Sequence, residues 1–146
     1  MTTKDDEYTL LRSAALQNAG SIRSARERAE QRQEALLAGE KRLLEMIARG
    51  DSRAPILDAL CRLVEELASG ALSSILLLDA KANRLRHGAA PSLPIAYTEA
   101  IDGIVIGPSV GSCGTAAYRG EPVMVRDIAT DPLWADFRDL ALAHGL

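Results

Sequence analysis

From Asp5 to Ala48 the chain runs without a proline, and alanine, leucine, glutamate, glutamine and arginine, all good helix formers, dominate it. A run of this composition and length has one regular solution, a single long helix, which fixes the first third of the molecule. Every seventh residue gives Tyr8, Ala15, Ile22, Ala29, Leu36 and Leu43, an entirely apolar row. The companion row three residues on, Leu11, Asn18, Ala25, Arg32, Gly39 and Met46, is only partly apolar. This heptad pattern predicts a two-stranded coiled coil, and hence a homodimer, with Asn18 and Arg32 placed to set register. The other reading of the same stripe is an amphipathic helix lying on its own domain. Gly20 and Gly39 each cost roughly 1 kcal/mol relative to alanine and are expected to loosen the helix. Arg23, Arg26, Arg28 and Arg32 cluster, but Glu27 and Glu30 interleave with them. That mixture fits a solvated helix face and not a nucleic-acid arm.

Gly50-Asp51-Ser52-Arg53 breaks the pattern, with Asp51 or Ser52 suited to cap a second helix. The chain therefore divides into a helical linker, 1–50, and a globular part, 51–146. Ile56, Leu57, Leu60, Leu63, Val64 and Leu67 recur at helical spacing up to Ser69-Gly70. Ser74 to Leu78 is a short apolar run expected as a buried strand. Asp79 to Asn83 has turn chemistry, and Arg84 to Ala89 returns as the second strand of a hairpin. A short helix is expected over Ile95 to Ile101, after Pro91 and Pro94. Ile104-Val105-Ile106 leads into a glycine-rich loop, Gly107 to Gly114, and a short helix over Thr115 to Tyr118 stopping at Gly120. Glu121 to Ile128 reads as a further strand. Asp131 and Pro132 then cap and open a helix through Ala143, and Gly145 sits at a left-handed C-cap. The fold class is α+β.

Composition narrows the function. The apolar fraction of 47% supports a packed core, whereas an aromatic content of 3% is too low for a base-stacking surface. A net charge of -3 gives no general attraction to phosphate backbones or anionic lipid. No run of about 20 apolar residues spans a bilayer, and the acidic start, Met1 to Glu7, lacks the order of a secretion signal. Two cysteines, Cys61 and Cys113, make no disulfide framework. A cytoplasmic protein with neither nucleic-acid nor membrane partners is expected.

The segments Ser74-Ile-Leu-Leu-Leu-Asp79, Gly111-Ser-Cys-Gly-Thr-Ala116, Gly120-Glu-Pro-Val123, Asp127-Ile128 and Asp131-Pro-Leu-Trp134 stand in one order. Together they resemble the run of bacterial GAF sensor modules found in histidine kinases of two-component systems and in cyclic di-GMP signalling proteins. The resemblance covers roughly Leu43 to Leu146. It implies an antiparallel sheet flanked by helices and a ligand pocket between sheet and loops. It also implies strands after Gly145 that this sequence lacks, which would leave a sheet edge unpaired. The upstream helix resembles those coupling sensory domains to each other or to an output domain.

Candidate chemistry centres on the glycine-rich loop. Ser109, Ser112 and Thr115 offer hydroxyls to a small ligand in the pocket the resemblance implies, and Trp134 and Phe137, three apart on one helical face, are core anchors or a pocket wall. Cys113, placed in the loop just before a helix, is positioned for thiolate stabilisation by amides and the helix dipole. Cys61 reads as core. His87 and His144 have no ligating neighbours in sequence, so no metal site is assigned, no cofactor is named and no catalytic residue is designated. Gly114-Thr115 lacks the lysine of a nucleotide-triphosphate loop. Cys113 is not followed by histidine, which disfavours bilin attachment. Three readings remain: a sensory and dimerising module that is not an enzyme, a small thiol-dependent redox enzyme or sensor using Cys113, and a dimerisation scaffold without ligand.

Overall fold

The computed structural model describes the backbone of residues 4–146 and the side chains of Thr9 and residues 11–146. The element order is α1 Lys4–Ala48, α2 Arg53–Leu67, β1 Ile75–Asp79, β2 Arg84–Ala89, α3 Ile95–Ile101, α4 Gly111–Arg119, a 3-10 turn Pro132–Trp134 and α5 Arg138–Ala143. The fold is α+β: one long helix, then a two-stranded antiparallel sheet among shorter helices.

Helix α1 is continuous through Gly20 and Gly39. Gly39 has a packing role there. A Cβ added to it would overlap both Cδ atoms of Leu63 and come 2.9 Å from its Cγ, so glycine lets α2 approach α1 closely. Ala35, Gly39, Leu43 and Met46 recede from solvent on this face, Met46 being buried. Leu43, the last member of the heptad row, thus lines the groove beside α2 and not a free surface. From residue 11 to residue 34 every side chain is exposed. The side chain of Tyr8, the first member of that row, lies outside the described residues. Ser52 occupies the N-cap of α2 without a side-chain bond, and Asp51 is paired with Arg49 at 2.9 Å in the turn before it.

β1 and β2 pair Leu78 with Leu85 and Leu77 with Arg86. The Asp79 carboxylate closes the hairpin by accepting from the Lys81 and Ala82 amides at 3.1 Å. The far edge of β2 is covered by the segment after α3. Leu85 N–H donates to Ile104 O, Gly103 N–H donates to Leu85 O, and Val105 bridges Arg84. Asp102 fastens the same edge by accepting from His87 N–H at 2.7 Å and from Arg86 at 3.3 Å. The backbone amide is the main cause that lowers the Asp102 carboxyl from its ordinary value, with Arg86 adding to it. Among the described residues β1 has no ladder partner on its other edge.

Two packed regions flank the sheet. One holds Cys61 and Leu63 of α2, with the Cys61 thiol against Ala89 O at 3.8 Å. The other gathers Leu76, Leu93, Ile104, Trp134 and Leu140 around buried Tyr97, Ile101 and Ala141. Glu65 ties the first region together, accepting from Ser73 N–H at 2.9 Å and from Ser92 hydroxyl at 2.6 Å.

Three expectations for the second half are corrected. Glu121 to Ile128 is not a strand: no ladder partner exists for it among the described residues, and Met124 is 94% exposed. Alternating valines fit a strand, but a strand forms only where a neighbour takes its backbone groups. The helix after the glycine-rich loop begins at Gly111, not Thr115. The helix expected from Asp131 to Ala143 is split into the 3-10 turn and α5. Arg138 helps fix the junction by donating to Asp131 O at 3.2 Å and Ile128 O at 3.4 Å.

Candidate functional site

The site forms where the start of α4 meets the 3-10 turn over the end of the sheet. Gly111 enters α4 with φ +54, a left-handed conformation that glycine adopts without strain. The Trp134 ring lies over it, at 3.6 Å from where a Cβ would stand. Asp131 sets that ring by capping the turn, accepting from Leu133 N–H at 2.9 Å. The indole N–H of Trp134 donates to Ser112 hydroxyl at 3.1 Å, joining the turn to α4. Below this bond lies a cavity of about 30 Å³ whose wall includes Leu76, Tyr97, Ile101, Cys113, Trp134 and Phe137. That is roughly the room of one water molecule, against several hundred Å³ for a typical small-molecule pocket.

Of the residues singled out from the sequence, Ser112, Cys113 and Trp134 converge on this cavity. Thr115 does not. It is fully buried, and its hydroxyl accepts from Val110 N–H at 3.0 Å, so it satisfies the backbone of the first turn. Ser109 stays outside, with its hydroxyl donating to Pro132 O at 3.4 Å. Tyr97 was not marked as a site residue by sequence, whereas Phe137 was paired with Trp134; Tyr97 and Ile101 fall four apart on α3, which was the available signal.

Cys113 lies in the first turn of α4 and not in a loop before it. Part of the residue is exposed, yet its thiol sits at the cavity wall, where packed neighbours withhold water from the charged form. Burial therefore raises the thiol above its ordinary value, the direction opposite to a stabilised thiolate. Burial also raises the Tyr97 hydroxyl, with Cys113 adding to it. The cavity is thus lined by neutral groups: apolar walls, two hydroxyls and a protonated thiol.

Cys61 and Cys113 are both free thiols. His144 stacks obliquely on Tyr97 at 5.9 Å between ring centres, and His87 is exposed on β2. Among the described residues no three histidine, cysteine or acidic side chains gather in a metal-holding group. Nor is any described helix long and apolar enough to cross a membrane. A larger hollow, about 630 Å³, lies elsewhere, between α1, α2 and the end of β2. It is an open groove whose rim carries Asp58 and Arg62, already paired to each other at 2.8 Å.

Over 118 residues, 80% of its length, the chain is 41% identical to the methyl sulfide methyltransferase-associated sensor of Methanosarcina acetivorans. It spans about 12% of the length of that relative. No protein-family model matches the chain. No solved structure matches it.

Proposed function

We propose that this chain is a sensory, non-enzymatic module of GAF type in a cytoplasmic signal-transduction protein, dimeric through α1 and responsive to a small ligand at the cavity beneath Trp134. The observation that carries this reading is the 41% identity to a segment of a protein named a sensor. The site chemistry fits it. A small apolar cavity closed by one indole-to-hydroxyl bond is suited to an uncharged guest that opens the lid formed by α4 and the 3-10 turn. A guest larger than a water must displace Trp134 or the start of α4, and such a displacement is itself a signal if both arrangements lie close in free energy. A thiol-dependent reaction at Cys113 is disfavoured, because a raised thiol holds little thiolate at neutral pH.

The cavity of about 30 Å³ favours a second reading, a dimerisation scaffold that binds no ligand. Native mass spectrometry of the purified chain separates the two. The sensor reading expects a dimer carrying a small additional mass, which is lost when Ser112→Trp fills the cavity. A ligand-free dimer whose melting temperature no small apolar or aromatic compound shifts would leave the scaffold and remove the sensor.

A further inference from the structure

Among the described residues three buried side chains end in a hydroxyl, and two of them commit it to the backbone. Thr98 donates to Ile95 O at 2.9 Å, and Thr115 accepts from Val110 N–H at 3.0 Å. Tyr97 is the third. It is 6% exposed, and its hydroxyl bonds no protein atom. A buried hydroxyl is ordinarily paired, because leaving it unbonded forfeits the bonds it made with water. No described side-chain oxygen is both sealed from water-sized space and without a partner, so the Tyr97 hydroxyl borders such a space. The hollow that Tyr97 lines is the cavity beneath Trp134.

The α4 side of this cavity holds unused donors as well. α4 begins without a side-chain cap, and the amides of Gly111, Ser112 and Cys113 donate to no protein acceptor. First-turn amides point out past the start of their helix, and these three residues line the cavity. The Ser112 hydroxyl accepts from the Trp134 indole, so its own proton is left over. Acceptors, by contrast, are taken. Val110 O accepts from Gly114 N–H, Ile101 O from Ile104 N–H, Ile104 O from Leu85 N–H and Trp134 O from Phe137 N–H. Among the described residues no carboxylate, imidazole, amide or basic side chain lines the cavity. Burial disfavours the charged forms of Tyr97 and Cys113, and it disfavours an anionic guest beside them in the same way.

We propose that the guest of this cavity is an uncharged carbonyl compound, its oxygen accepting from the Tyr97 hydroxyl and from the amides that open α4. The proposal rests on the sensor reading above and names the chemistry of its ligand. About 30 Å³ is room for the oxygen and little more, so the apolar remainder of the guest lies against the Trp134 and Phe137 rings once the lid has opened. Amines find no acceptor here, and hydrocarbons leave the Tyr97 hydroxyl and the amides without a partner.

A matched pair of probes tests this on the full chain. Cyclopentanone and methylenecyclopentane have the same shape, and only the ketone carries an acceptor. Trp134 is the single tryptophan, so one indole N–H resonance reports on the cavity. The expected result is a saturable shift of that resonance by cyclopentanone, with methylenecyclopentane binding about tenfold or more weakly. Tyr97→Phe removes only the hydroxyl. It should cut the ketone's advantage several-fold and melt no lower than the parent, since the hydroxyl bonds nothing within the protein. Equal affinities for the two probes, or an advantage that Tyr97→Phe leaves intact, would overturn the inference while keeping the cavity as an apolar ligand site. A marked fall in the melting temperature of Tyr97→Phe would mean that the hydroxyl is bonded within the protein, and would overturn it too. An indole resonance that neither probe moves would remove the ligand site and this inference together.

Discussion

At the scale of single residues, neutral and charged groups are kept apart. Around Cys113 the surroundings favour the uncharged thiol. Alkylation by iodoacetamide at neutral pH is therefore expected to be slower for Cys113 than for a free cysteine, with the rate climbing only at alkaline pH. A rate equal to or above that of free cysteine would sink this account. Asp102 is the opposite case, since its carboxylate is held charged by the His87 amide and Arg86. Its folded value lies below its unfolded one, so the unfolded chain takes up the proton first as pH falls. The stabilisation is complete above about pH 4, the ordinary aspartate value, and is lost as pH drops through the lowered one. In Asp102→Asn the denaturation midpoint should depend less steeply on pH across that acid window, and an unchanged slope would assign the edge of β2 to other contacts.

At the scale of elements, what the sequence discloses is periodicity and punctuation. The bounds of β2 and α3 and the long α1 were legible because apolar spacing and turn residues marked both of their ends. Glu121 to Ile128 was misread because alternation states only that a segment is able to pair, while the partner belongs to the rest of the fold. The two helix glycines were read alike, yet their surroundings oppose. Gly20 has nothing within 4 Å of a Cβ, so Gly20→Ala should stabilise the helix by up to about 1 kcal/mol. Gly39 faces Leu63, so Gly39→Ala should destabilise by about 1–3 kcal/mol despite the better helix former. Urea denaturation followed by circular dichroism checks both signs, and a stabilising Gly39→Ala would mean that α2 packs on α1 with room for a methyl group.

At the scale of the whole molecule, the candidate site was half legible. Ser112, Cys113 and Trp134 stood out in the glycine-rich stretch and the motif after Asp131, and the fold brings them to one cavity. Tyr97 joins them from α3, an element whose proximity no local pattern records. Thr115 and Ser109 were offered to a ligand, but their hydroxyls serve the backbone, a demand visible only once Val110 N–H and Pro132 O are in place. The coarse α+β class was the part best determined by sequence, because helix length and hairpin chemistry are local properties.

The grip of α2 on only the lower end of α1 makes the helix a lever with its fulcrum near Gly39. From Ala35 to Leu11 the arm is about 36 Å long at 1.5 Å per residue. A tilt of about 10° at the fulcrum, which shifts the buried Met46 by about 2 Å, sweeps its tip by about 6 Å. Small displacements around Leu63 thus emerge at the far end as motions of the size of a helical turn, and a helix so anchored converts local packing into long-range displacement without itself bending.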